Sequence, residues 1–254
     1  MKIAYVVPGI MEEKEMDRRE NLLNKWAFEG VRVKVIGITE GPASIESMYE
    51  EYLSIPATAE KMYQLEKKGY DAAILGCAGD PGLDGMREIT REMLVVGPGQ
   101  SSMQVAVMLG NSFSVLTVTD STVASSYELA FKAGVKESVA SVRPLNIPVL
   151  ELAEDKEKSI EKIVSVGREA VLEDGADVLV LGCMSMGFLD VADDIQNILK
   201  VPVVNPAKTG LKTAEALLSS NLMHSKKAFM TPPKIAEGKV ESLDELYIKK
   251  VPNY

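Results

Sequence analysis

The sequence predicts an α/β protein: two similar three-layer domains, each built on a four-stranded parallel sheet, related by a pseudo-two-fold axis. Three observations carry this. Short apolar runs alternate with longer amphipathic ones along the chain. The pattern restarts near residue 113. Finally, DAAILGC (71–77) and DVLVLGC (177–183) echo one another at an offset of 183 − 77 = 106 residues, and Pro98 and Pro206 at 206 − 98 = 108.

Ile3 to Val7 is short and apolar and predicts the first strand. Residues 13 to 29 predict a helix with Leu22, Leu23, Trp26 and Ala27 on one face. Val31 to Ile38 is the second strand, and Ile45 to Lys68 a long helix. Ala72 to Leu75 and Leu94 to Val96 complete the first sheet. Phe113 to Val118 then resembles the first strand, Asp177 to Gly182 the third, and VPVVNPAKTGLKTA (201–214) resembles MLVVGPGQSSMQVA (93–106). A repeat this long is a duplicated domain, not a solenoid. Chain crossings near 98 and 205 divide the protein into residues 1–98 plus 206–254, and residues 99–205. The stretch from Met223 to Tyr254 has no counterpart in the repeat and reads as an extended tail on the first domain or on a neighbouring subunit.

Composition narrows the function. The 254 residues are 46% apolar and 26% charged, with a net charge of −9 and no strong Lys/Arg cluster, which disfavours nucleic acid and anionic membrane as partners. No apolar run is long enough to span a bilayer, and MKIAYVV reads as a strand and not as a signal peptide, so a cytoplasmic protein is expected. Two cysteines make no disulfide framework. The one histidine, His224, is expected at the surface, which argues against a Ser-His-Asp triad or a histidine-rich metal site.

The cysteines carry the chemistry. Ligands of parallel sheets gather at the C-terminal strand ends, where Cys77 and Cys183 fall. Gly76 and Gly182 are expected to let the backbone turn sharply, and Gly79 and Gly82 to admit a ligand closely. Helix N-termini there would favour thiolate. Facing one another across a cleft, a thiol and a thiolate could serve opposite faces of a carbon acid and exchange the roles of acid and base. A cysteine ending an apolar strand is also a small hydrophobe suited to packing. On the residues alone both readings stand.

Four stretches resemble the aspartate/glutamate/hydantoin racemase superfamily, closest to its hydantoin and allantoin racemase branch: EGPASIES (40–47), CAGDPGLDGMRE (77–88), FSVLTVT (113–119) and DGADVLVLGCMSM (174–186). The likeness spans roughly residues 2 to 220, in order and at family spacing. It implies a cofactor-independent, metal-free racemase or epimerase with Cys77 and Cys183 as opposed acid and base. The implied substrate is a small hydantoin-like or amino-acid-derived molecule in the interdomain cleft, and a homo-oligomer is expected. By position, substrate binding falls to Pro8, Gly9 and Ile10, to Thr117 and Thr119, and to backbone around Ala78, Gly79, Met184 and Ser185. Thr117 reads equally as an ordinary strand residue. Ser44 reads foremost as a helix N-cap and Asp80, before Pro81, as a turn former. The chain departs from the family where VVPGIM replaces the polar Asn-Pro-Asn-Thr of the first loop and where Gly99-Gln100-Ser101 replaces Gly-Glu-Ala. No histidine follows Met184-Ser185-Met186, which sets glutamate racemase aside. A maleate-isomerase-like or decarboxylase-like enzyme and a non-catalytic metabolite-binding protein are the rival readings.

Overall fold

A computed structural model describes residues 1–246; the last part of the expected tail, 247–254, lies outside the described residues. The first half runs β1 (Lys2–Val7), α1 (Glu13–Trp26), β2 (Arg32–Gly37), α2 (Met48–Lys67), β3 (Ala72–Leu75), α3 (Leu83–Ile89), β4 (Leu94–Val96) and α4 (Pro98–Leu109). The second runs β5 (Phe113–Thr117), α5 (Val123–Lys132), β6 (Val139–Pro144), α6 (Lys156–Leu172), β7 (Val178–Leu181), α7 (Met184–Phe188), α8 (Ala192–Leu199), β8 (Val203–Val204) and α9 (Pro206–Ser219), and α10 (Pro233–Ala236) follows.

Both sheets are four-stranded and wholly parallel, ordered β2-β1-β3-β4 and β6-β5-β7-β8. Helices cover both faces, so the inner strands are apolar on both sides, which is why AAIL and VLVL read as unbroken hydrophobic runs. Ile3, Tyr5, Ile74, Phe113, Leu116 and Leu181 are fully buried, each aliphatic one contributing roughly 1.5–3 kcal/mol over exposure. Leu23 is buried in the apolar core of the first half, with Leu22, Trp26 and Ala27 partly buried against that core, the face expected of that helix.

The halves exchange helices. α4 leaves β4 of the first sheet and packs on β5, β7 and β8 of the second. α9 leaves β8 and packs on β3 and β4 of the first. Each therefore bridges the sheets near the cysteine-bearing strand ends.

Four local expectations are corrected. α1 ends at Trp26, because Ala27 is already extended. α2 begins at Met48, and its N-cap is Ser47, whose hydroxyl accepts from the Glu50 amide at 3.3 Å; Ser44 is left free of that task. His224 is half-buried, with Nε2 2.9 Å from both the amide nitrogen and the carbonyl oxygen of Val95 on the edge strand β4. The segment after α9 also folds back beyond simple extension. Ile235, Val240 and Leu243 pack on Tyr63 and Ile89, and the Tyr63 hydroxyl donates to the Val240 carbonyl at 2.7 Å. Among the described residues no helix is long and apolar enough to cross a membrane.

Candidate active site

One cavity lies at the C-terminal ends of β1, β3, β5 and β7, and both free, half-buried cysteines line it. The strands that deliver them extend by one matched bond each: Gly76 donates to the Val6 carbonyl and Gly182 to the Leu116 carbonyl, both at 2.8 Å. The sharp turn expected of these glycines is not their role, since neither has a left-handed backbone. A Cβ at Gly76 would fall 2.5 Å from the Val6 oxygen, and one at Gly182 2.9 Å from the Leu116 oxygen. They are glycine because the neighbouring strand's backbone comes too close for a side chain, and the two cysteines follow at equivalent register positions of their sheets.

After each cysteine the chain is tied to the helix that crosses between the halves. In the first half Asp80, at φ 54°, aims its carboxylate at the start of α4 and accepts from the Gly99 and Gln100 amides at 3.0 and 2.7 Å. In the second, Asn205 caps its own helix α9 by accepting from Ala207 and Lys208, and its amide donates to the Gly187 carbonyl at 2.8 Å. Each capping side chain needs a glycine opposite. A Cβ at Gly97 would fall 2.5 Å from the Asp80 carboxylate, and one at Gly187 2.7 Å from the Asn205 carbonyl.

Of the residues expected from sequence, Pro8, Gly9, Ile10, Cys77, Ala78, Gly79, Thr117, Cys183, Met184 and Ser185 all line this cavity. Thr119 does not: its hydroxyl pairs with that of Ser121 at 2.9 Å, and Ser121 in turn bonds the Glu46 carbonyl, so Thr119 helps join the halves at the rim. The strand has ended by Thr119, so the alternation that points Thr117 inward no longer applies. Thr117 is itself partnered, 2.6 Å from the Thr122 hydroxyl. The first loop brings apolar Ile10 and Met11 to the wall, and Ile10 is held by the Pro42 carbonyl at 3.1 Å. Ser44, freed from capping, also lines the cavity.

Three ionisable side chains were not legible as site residues. Arg19 is buried. It donates from Nε to Glu15 at 2.7 Å and from Nη2 to the Ser185 hydroxyl at 3.1 Å, and its guanidinium lies 4.7 Å from the Phe188 ring centre. Glu51 reaches the same cavity from α2. Asp80, expected only to form a turn, is buried, with its amide donating to the Cys77 carbonyl at 3.2 Å.

These groups make the two thiols electrostatically unlike. Burial pushes both above the ordinary cysteine range, outweighing the strand-end amides that were expected to favour thiolate. Around Cys183 the other influences pull down: the amides of Met186 and Ser185, the Arg19 charge and the Ser185 hydroxyl. Around Cys77 only the Gly79 amide, 3.5 Å from Sγ, does so, while Glu51 and Asp80 push further up. Glu51 itself is pushed up to about 7 by burial and by Glu128, and Asp80 to about 7 by burial against its two amide donors and Arg87.

A family model of Asp/Glu/hydantoin racemases matches residues 16–214. The hydantoin racemase of Pseudomonas sp. (strain NS671) is 39% identical over 216 residues, covering 85% of this chain and 86% of that protein. Among solved structures, allantoin racemase from Klebsiella pneumoniae superimposes with a TM-score of 0.86 at 26% identity, over 92% of this chain and 94% of that one. The allantoin racemase of Pseudomonas fluorescens gives 0.85 at 28%, over 92% and 97%. Fold and relatives together define an isomerase, a racemase. The chain belongs to the Asp/Glu/hydantoin racemase family.

Proposed function

We propose that the protein interconverts the enantiomers of a hydantoin-like ring or a related amino-acid derivative, with Cys77 and Cys183 exchanging the roles of acid and base and with no cofactor. The observation that carries this reading is that two thiols, each ending the equivalent strand of a different half, open on one cavity. Similarity to hydantoin and allantoin racemases supports the substrate class.

In the first step a thiolate takes the proton from the carbon beside the carbonyl. An S–H bond forms, the C–H bond breaks, and the electron pair moves onto the carbonyl oxygen as an enolate. The opposite thiol then delivers its proton to the other face and becomes the thiolate. Backbone amides at the two strand ends supply donors for the enolate oxygen. The charge pattern favours Cys183 as the resting base and Cys77 as the resting acid, because Arg19 faces the former, and Glu51 and Asp80 the latter. Each turnover leaves the opposite arrangement, ready for the other enantiomer. The apolar wall at Ile10 and Met11 suits an apolar ring substituent.

The test is exchange in deuterium oxide followed by NMR at the carbon acid, for 5-substituted hydantoins, allantoin and free amino acids. Cys77→Ala and Cys183→Ala should each abolish racemisation, with exchange retained on a single enantiomer in at most one of them. Racemisation at wild-type rates in both variants would end the two-base reading.

A further inference from the structure

Among the described residues the cavity wall carries two charged side chains, Arg19 and Glu51, and they differ in what is left to bind a ligand. Arg19 is occupied by Glu15, Ser185 and the Phe188 ring. Among the described residues none donates a hydrogen bond to the Glu51 carboxylate, which is acted on by burial and by the charges of Glu128 and Lys132. It stands where the active cavity adjoins a second one lined by Asp80, Asp84, Glu128 and Lys132. Gly79, having no side chain, lets the carboxylate come close to the cysteine turn. A Cβ there would fall 2.6 Å from Glu51 Oε1 and 3.7 Å from Cys77 Sγ. A ligand held at Cys77 would therefore lie close to the Glu51 carboxylate.

We infer that Glu51 is a specificity-determining residue, whose carboxylate accepts an N–H from a neutral ring-amide substrate and repels ligands that carry a free carboxylate. A half-buried anion with no donor is incompletely solvated, and an N–H supplies what it lacks. A second carboxylate brought beside it meets like charge in a cavity whose one cation is already engaged. A hydantoin carries two ring N–H groups and no charge. Its ring-opened form, the N-carbamoyl amino acid, has the same atoms plus water and bears a carboxylate. The inference takes its preferred ligand from the hydantoin reading, but the exclusion of anions belongs to the site itself. The groups facing Glu51 include Cys77 and Asp80 from the strand-end turn and Glu128 and Lys132 from α5. Glu51 charges as pH rises through about 7, so exclusion should strengthen across that range.

Titration calorimetry of the wild type, E51Q and E51D tests this, using a racemic 5-substituted hydantoin, which turnover leaves at equilibrium, and the matching N-carbamoyl amino acid at pH 8. In E51Q the hydantoin should bind about tenfold more weakly and the anion at least about tenfold more tightly. E51D keeps the charge and should keep the exclusion. A thermal melt establishes that both variants are folded. If the anion binds wild type and E51Q equally, the inference is overturned whatever the hydantoin does. If the hydantoin binds neither protein while the anion still separates them, the exclusion of anions by Glu51 stands, and the N–H acceptance fails together with the hydantoin reading.

Discussion

Arg19, on a helix of the first half, donates from Nη2 to the hydroxyl of Ser185 at 3.1 Å, two residues beyond Cys183 in the second half. A cation fixed there favours the Cys183 thiolate. Replacing it with neutral Gln should raise the Cys183 pKa, move the acid limb of the kcat/KM profile to higher pH and lower the rate at pH 7 by about 10- to 100-fold. R19K keeps the charge but not the planar fork that serves Glu15 and Ser185 together, so its limb should move less than that of R19Q. The pH–rate profiles of both variants decide the matter, because a purely structural role would lower the rate without moving the limb.

Asp80 joins the Cys77 turn to α4 through two amide bonds while sitting at φ 54°. Asn tolerates that backbone and can still accept, whereas Ala does neither well. D80A should cost about 2 kcal/mol and D80N about half of that, read from thermal or denaturant melts.

The strands were legible because a parallel strand covered on both faces must be apolar throughout. Ala72–Leu75 and Leu94–Val96 fall where the composition alone puts them. The cysteine pair was legible through its echo, which needs no geometry. Helix starts were less so: Ser44 and Ser47 are both candidates in EGPASIES, and only the folded backbone makes Ser47 the cap. Arg19 carried no signal at all. Its spacing from Glu15 reads as an ordinary surface pair on a charged helix, and only the packing of α1 against α7 turns it into the site. Glu51 and Asp80 are hidden for the same reason. An acidic residue in a helix or before a proline is commonplace, and its meaning here comes from Gly79 and Gly97, whose missing side chains admit it.

Two buried groups should shape the pH dependence of stability in opposite senses. Asp80 moves from 3.8 to about 7 on folding, so between those values the folded chain holds a proton the unfolded chain has lost. Its contribution is present below pH 3.8 and declines as pH rises through 7. His224 moves from 6.5 to about 4, through burial and the nearby Arg87 charge, so there the unfolded chain holds the extra proton. Its contribution is present above pH 6.5 and is lost as pH falls toward 4. Discounted for half-exposure, His224 should supply about 1–2 kcal/mol. Melting temperatures from pH 4 to 7 should therefore rise more steeply with pH in D80N than in wild type, and less steeply in H224Q. Identical slopes in all three proteins would show that neither proton is coupled to folding.

Gly79 separates Cys77 from Glu51, with its amide on the thiol sulfur and its missing side chain against the carboxylate. Alanine there would sit 2.6 Å from Glu51 Oε1, a flexible end that can swing away, and in ordinary contact with the sulfur at 3.7 Å. G79A should therefore fold, at a cost of about 1 kcal/mol, and lose activity by about 100-fold because the carboxylate has left its place and the ring has lost its room. Shortening the displaced side chain relieves the clash but does not restore the carboxylate. The double variant G79A/E51A should recover the stability of G79A's parent while remaining as inactive as G79A. Recovery of activity along with stability would mean that Gly79 matters only as space, and that Glu51 takes no part in holding the substrate.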